Sequence, residues 1–191
     1  MKRLLIAYAS GTGTTAEVAA EIGKTLETRG FAVDVRPVTE NPPVAGYDAV
    51  LIGSAIRGGK WLPAGLEFVR ANRAALQKLP VALFVVHFFF RGESENNRKM
   101  RAMYMQEARL LLPNAQEAFF AGRFDRRTVA VGSPLLSKFT PTVDRRDWKK
   151  IRAWAERVDL ENMKTFSPQS LPPGGRAGGR KERKVQKEEE V

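Results

Sequence analysis

Six consecutive apolar residues, Val81-Ala82-Leu83-Phe84-Val85-Val86, leave no polar face to turn toward water. A strand with one wet face alternates, so an unbroken run of this length after Pro80 describes a strand covered on both sides. Strands of that kind belong to parallel sheets with helices packed on each face. The rest of the chain alternates to match. Arg3 to Ala9 reads as a first strand, and Thr14 to Arg29 as a helix with Val18, Ala19, Ile22 and Leu26 at helical spacing, closed by Gly30. Phe31, Val33 and Val35 alternate as a second strand. Pro37, Pro42, Pro43 and Gly46 then mark a loop, and Tyr47 to Ser54 forms the third strand. After an irregular glycine-rich loop, Pro63 opens a helix carrying Leu66, Phe68, Val69 and Leu76 that stops before Pro80. Val81 to Val86 is the fourth strand, Asn96 to Leu112 a helix and Ala115 to Gly122 the fifth strand. Asp144 to Met163 is a final helix bearing Trp148, Ile151, Trp154 and Val158. Strands alternating with helices imply right-handed crossovers and an α/β three-layer sandwich.

A length of 191 residues suits one domain with an appendage, and 43% hydrophobic content is enough for a buried core. The domain is expected over residues 1–164. From 165 onward, Pro168, Pro172, Pro173, several glycines and a mixed run of Lys, Arg and Glu bury too little apolar surface to become ordered, so 165–191 is expected as a disordered tail. The absence of cysteine excludes disulfides, cysteine-ligated zinc, iron–sulfur clusters and thiol catalysis, which leaves redox chemistry to a bound cofactor. A single histidine, His87, excludes a multi-histidine centre, and no metal is expected. Val81 to Phe90 falls short of the roughly 20 residues that span a bilayer. Met1-Lys2-Arg3 before Leu4 to Ala9 imitates a signal peptide, but a first strand explains it better. The expected location is the cytoplasm, with peripheral attachment to the inner face of the membrane as an alternative. A net charge of +11 and a pI near 10.3 attract anions, whether nucleic acid, acidic lipid, an acidic protein or a carboxylated small molecule.

The end of the first strand carries Ser10, Gly11, Thr12, Gly13, Thr14 and Thr15 immediately before a helix whose first amides are unsatisfied and whose dipole favours an anion. Glycines let the backbone close around a phosphate, and the hydroxyls of Ser10, Thr12, Thr14 and Thr15 can donate to it without a lysine. A Walker loop ends in Gly-Lys-Ser/Thr and the dinucleotide fingerprint needs three spaced glycines, so neither applies. The plain alternative is a helix cap made of small residues.

This strand-loop-helix resembles the FMN-phosphate loop of flavodoxins, Ser/Thr-x-Thr-Gly-x-Thr, which Ser10 to Thr15 matches fully. The resemblance implies FMN as cofactor and a flavodoxin-like sandwich with a five-stranded parallel sheet in the order 2-1-3-4-5. The flavin then lies at the switch point between the first and third strands. The loops after strands three and four should meet the ring, which brings in Ser54, Ala55, Ile56, Arg57 and Gly58, and His87, Phe88, Phe89, Phe90 and Arg91. Ile52 to Trp61, followed by Leu66-Glu67-Phe68-Val69, also resembles the menaquinone-dependent protoporphyrinogen dehydrogenases of the flavodoxin-like group. Their loop has a Gly-Ala-Ser-Ile-Arg-x-Gly core before a Phe-x-Glu-Phe-Val helix, and Ser54, Ile56, Arg57 and Gly59 fall on it. That family carries a long basic and apolar insertion after the fifth strand, where this chain has only Arg123 to Val143.

The resemblance implies an FMN-dependent oxidoreductase passing electrons from a porphyrinogen to a quinone or another acceptor. The alternative is a flavodoxin-type electron carrier without its own substrate. A third reading, nucleic-acid binding through the basic surface, has no recognised motif and would be nonspecific. Arg57 and Arg91 are expected near the flavin, where a cation at the N1 edge favours two-electron chemistry. Arg57 and Arg91, with Lys60 or Arg98, can also receive the propionates of a porphyrinogen or an acidic partner, or simply keep the chain soluble. His87 either bonds the flavin or shuttles a proton there, or it bonds a backbone carbonyl. Of Phe88, Phe89 and Phe90, two are expected in the core on opposite faces and one on the ring. Trp148 and Trp154 are expected as core, whereas Trp61 either caps the ring or staples onto the next helix. Leu135, Leu136 and Phe139, beside Arg126, Arg127 and Lys138, form either a packed loop or a surface for a membrane or partner.

Overall fold

The computed structural model describes residues 1–90, 92–124 and 142–160. Its elements in chain order are β1 (Arg3–Ala9), α1 (Thr14–Thr28), β2 (Ala32–Pro37), a 3₁₀ turn (Val38–Glu40), β3 (Ala49–Arg57), β4 (Lys60–Trp61), α2 (Pro63–Ala71) and α3 (Arg73–Leu76). They continue with β5 (Val81–His87), α4 (Glu95–Tyr104), α5 (Gln106–Leu111), β6 (Gln116–Ala121), β7 (Arg123–Phe124), β8 (Val143–Asp144) and α6 (Trp148–Arg157). Five strands pair in parallel in the order β2-β1-β3-β5-β6. This is the expected 2-1-3-4-5 order, because the two-residue β4 only hairpins back onto β3.

Successive residues of a strand face opposite sides, and in the central strands β1, β3 and β5 both sides are dry over most of their length. Leu5, Ala7, Val50, Ile52, Leu83 and Val85 pack under α2, α3, α4 and α5, with Leu66, Phe68, Val69, Leu76 and Met105 against them. Leu4, Ile6, Leu51, Ala82 and Phe84 pack under α1 and α6, against Val18, Ile22, Leu26, Ile151 and Ala155. Each fully buried Leu, Ile, Val or Phe contributes about 1.5–3 kcal/mol relative to exposure. Phe84 reaches across to its β3 neighbour Gly53, where a Cβ would lie 2.0 Å from the ring, and it also meets Phe120 and Trp154. The α1 and α6 helices are joined at their ends, where Arg29 Nη1 donates to the carbonyls of Ala155 at 2.7 Å and Val158 at 3.1 Å.

Several boundaries differ from the expected ones. The third strand starts at Ala49 and runs on to Arg57, because Gly58 and Gly59, both at positive φ (58° and 76°), return the chain to Lys60-Trp61 as a tight hairpin. The expected single helix 96–112 is two, divided at Met105 (φ −90°, ψ −5°), whose side chain is fully buried; α4 begins one residue earlier, after the Ser94 cap. The helix after Pro63 breaks at Asn72, whose side-chain amide donates to the Phe68 carbonyl at 3.0 Å. The last helix begins at Trp148, capped by Asp147, instead of Asp144, because Val143 and Asp144 pair with Arg123 and Phe124. Trp148 and Trp154 pack on the core as expected. The region 165–191 lies outside the described residues, as do Leu135, Leu136, Phe139, Arg126, Arg127 and Lys138.

Candidate functional site

Parallel pairing puts the C-terminal ends of β1, β3, β5 and β6 on one edge of the sheet. After β1 the chain crosses to one face and after β3 to the other, so a crevice opens between these two strand ends. At its floor, Ser10 Oγ accepts from the Gly13 amide at 3.0 Å, which closes the loop. Gly13, at φ 88°, holds a left-handed conformation that a side chain would strain, and it delivers the first turn of α1 to the crevice. Thr14 and Thr15 follow with 6% and 0% of their surface exposed, and their Oγ1 atoms are buried without a hydrogen-bond partner in the protein. A buried hydroxyl in that state costs about 1–3 kcal/mol. Phosphate oxygens are acceptors of the kind these two hydroxyls lack, so the donor set of the loop fits a bound phosphate group.

One cleft gathers ten of the sixteen sequence-identified positions: Ser10, Gly11, Thr12, Thr14, Thr15, Ala55, Ile56, Arg57, His87 and Phe88. The others take different places. Gly13 shapes the loop from behind. Ser54 is fully buried, and its hydroxyl is engaged by the backbone, accepting from the Leu62 amide at 3.0 Å and donating to the Ala55 carbonyl at 2.9 Å. Gly58 forms the hairpin turn, and Arg91 lies outside the described residues.

The aromatic triplet corrects the sequence expectation, since none of the three enters the core. The strand ends at His87, so the chain has already left the sheet. Phe89 and Phe90 are exposed at 67% and 36%. Phe88 is half-buried between the Phe124 ring at 5.1 Å and the Arg145 guanidinium at 4.4 Å. His87 is buried with Nδ1 2.7 Å from the Phe89 carbonyl, so Nδ1 is the protonated, donating nitrogen of that contact. Trp61 is 3% exposed and packs into the core beside Leu66, which makes it the staple and not a cap on the ring.

Sequence reasoning missed several contributors. Arg101 is buried and stakes down the loop after β5, donating to the carbonyls of Phe90 at 2.8 Å and Gly92 at 2.6 Å and pairing with Glu93 at 3.3 Å. Gly122, Arg123 and Phe124 close the far wall of the cleft. The rule that strand ends line the crevice pointed at Gly122, but nothing local marked Phe124 or Arg101. Glu17, in the first turn of α1, binds Arg123 at 3.0 Å and also Arg146, which in turn holds Asp144. Burial alone would raise the Glu17 carboxyl, but hydrogen bonds and charge from Arg146 and Arg123 outweigh it and hold it below its ordinary value. Arg57 lies with its guanidinium against Gly11, in the loop after β1. Lys60 is held at long range by Glu107 (4.0 Å), and Arg98 lines a separate groove between α4 and α6.

A family model described as a flavodoxin domain matches residues 5–132. The protoporphyrinogen IX dehydrogenase [quinone] of Escherichia coli strain K12 is 30% identical over 133 residues, covering 69% of this chain and 68% of that protein. Oxidised flavodoxin 1 from Bacillus cereus superposes with a TM-score of 0.55 at 15% identity, covering 81% of this chain and 95% of that one. A flavodoxin from the domain Archaea gives 0.51 at 16% identity, with 81% and 94% covered. At such identities the two structures show a shared fold. Among the described residues no helix is long and apolar enough to cross a membrane, and no group of acidic residues or histidine is arranged to hold a metal.

Proposed function

The chain belongs to the flavodoxin-domain family, which implies FMN as its cofactor, and from that premise we propose an FMN-dependent oxidoreductase of the protoporphyrinogen dehydrogenase kind. In this reading electrons leave a porphyrinogen and reach a quinone. The observation that carries it is the pair of buried, partnerless hydroxyls on Thr14 and Thr15 in a cleft built from strand ends. The resemblance to the Escherichia coli dehydrogenase supplies the reaction class.

Within that reading, Ser10, Gly11, Thr12, Gly13, Thr14 and Thr15 hold the phosphate through hydroxyls and amides. When bound, the flavin supplies two-electron acceptor chemistry that no side chain of this cysteine-free protein can supply. Ala55, Ile56 and Phe88 form apolar walls that keep water from the reacting edge, and His87 fixes the loop after β5 through the Phe89 carbonyl. Phe89 and Phe90 present apolar surface at the rim, where a flat, greasy substrate or a quinone can land. A lipid-soluble quinone places the working protein peripherally at a membrane surface. Residues 1–164 form the domain in this reading, with 165–191 outside it.

Anaerobic addition of protoporphyrinogen to the yellow, purified protein tests the proposal. Bleaching of the flavin bands, followed by their return on adding a quinone, is the expected result. The competing reading is an electron carrier, favoured by the short stretch between β6 and α6, Gly122 to Asp147. That reading predicts no bleaching by porphyrinogen but rapid reduction by a partner reductase.

A further inference from the structure

Arg57 occupies the last position of β3, and its backbone is fixed on both sides. The ladder pairs Arg57 with Lys60 and Ile56 with the buried Trp61, across the Gly58-Gly59 turn. From that lip the side chain turns back over the phosphate loop. A Cβ built on Gly11 would stand 2.7 Å from Arg57 Nη2 and 3.7 Å from Cζ, so the bare α-carbon of Gly11 is what lets the guanidinium approach. Among the described residues no carboxylate pairs with Arg57, whereas Arg123, the other cation lining the cleft, is committed to Glu17. The loop itself, Ser10 to Thr15, contains no charged residue. A phosphate monoester carries a charge of about −1.5 to −2 at neutral pH, of which the partial positive charge at the start of α1, about half a unit, offsets only part.

We propose that Arg57 is a phosphate-reading residue. Its guanidinium closes over the loop beside Gly11, supplies the positive charge that the hydroxyls and amides lack, and so makes the site select a flavin monophosphate over the unphosphorylated flavin. The assignment rests on the FMN reading and deepens it. It also moves Arg57 from the ring, where the sequence placed it, to the opposite end of the cofactor. Arg57 is exposed, so shortening it removes no core packing.

The test is a fluorescence titration of the full-length, flavin-stripped protein with FMN and with riboflavin, in the wild type, Arg57→Gln and Arg57→Lys. A charge-assisted hydrogen bond of this kind corresponds to about ten- to hundredfold in affinity. Arg57→Gln should weaken FMN by that factor at low salt and leave riboflavin unchanged. Arg57→Lys should recover part of the loss, and the salt dependence of FMN binding should be shallower in Arg57→Gln than in the wild type. Inorganic phosphate should raise the thermal midpoint of the stripped wild type and not that of Arg57→Gln. Equal weakening of FMN and riboflavin would place Arg57 on the ring and overturn the proposal, as would an unchanged FMN-to-riboflavin ratio. A wild type that binds neither flavin removes the FMN reading itself, and this assignment with it.

Discussion

Replacing Thr15 by valine exchanges a hydroxyl for a methyl group and keeps the β-branched shape that a helix already accommodates. Thr15 Oγ1 is buried and has no partner in the protein alone, so the flavin-free chain gains from the change while the loaded one loses. Urea unfolding of the stripped Thr15→Val protein should show stability equal to wild type or higher by about 1 kcal/mol, with FMN affinity at least tenfold weaker. A variant that destabilises the stripped protein would mean that the hydroxyl has a structural partner. Gly53→Ala acts in the opposite place, since its new methyl would meet the Phe84 ring at 2.0 Å in a core with no room to yield. The expected loss is about 1–3 kcal/mol or more, read as a lower urea midpoint at an unchanged slope. The strand end, tight turn and helix start around Ser10 to Thr15 were legible because these residues are contiguous and their signal is local. The fate of Arg57 was not, because the direction of its side chain depends on a hairpin that two adjacent glycines create. The same holds for Phe88, which left the core once β5 ended at His87, and for Arg101, whose two carbonyl partners lie nine and eleven positions away in sequence.

At the scale of elements, the ladder of β7 and β8 is tied to the first turn of α1 through charge. Glu17 binds Arg123 and Arg146, and Arg146 binds Asp144. For Asp144 the hydrogen bond from Arg146 is the leading influence, and its carboxyl too lies below the ordinary value. Both acids are therefore harder to protonate in the folded protein than in the unfolded one. Their contribution to stability is fully present above the ordinary carboxylate range and is lost as pH falls through the lowered folded values. Glu17 is nearly half exposed, so the effect of the pair at neutral pH is at most about 1 kcal/mol. Glu17→Gln should lower stability slightly at neutral pH, and the gap between variant and wild type should close as both are acidified. A gap that persists unchanged in strong acid would mean that the glutamate acts by packing. Strong periodicity made α1 and the central strands readable, since each buries a face that its own spacing defines. The divided helices were not readable, because Met105 and Asn72 break them for the sake of packing and a side-chain bond, neither of which alters the apolar pattern. The start of α6 was misplaced for a related reason: Val143 and Asp144 are claimed by Phe124 and Arg123, on a strand earlier in the chain.

For the molecule as a whole, the question is where the folding unit ends. The α6 helix stops at Arg157, yet Val158 and Leu160 are 2% and 3% exposed and sit in the same core layer as α1. The carbonyl of Val158 accepts from Arg29 at 3.1 Å, and that of Asp159 accepts from the Gln116 side chain at 3.2 Å, at the start of the edge strand β6. These three residues close the sheet's outer layer against two elements distant in sequence, so they belong to the domain although no helix contains them. A chain cut after residue 164 keeps all of these contacts, whereas one cut after residue 157 loses two buried side chains, each contributing about 1.5–3 kcal/mol, and both carbonyl acceptors. The longer truncate should match the full chain in urea midpoint and in FMN affinity. The shorter one should unfold several kcal/mol more easily, a large part of the 5–15 kcal/mol typical of a domain. Saturating FMN, at about a hundred times its dissociation constant, should return about 2.7 kcal/mol to either truncate by mass action, because the strand ends that build the cleft come together only in the folded state. A longer truncate with weakened FMN binding would place part of the flavin site in the removed residues and shift the domain boundary beyond 164.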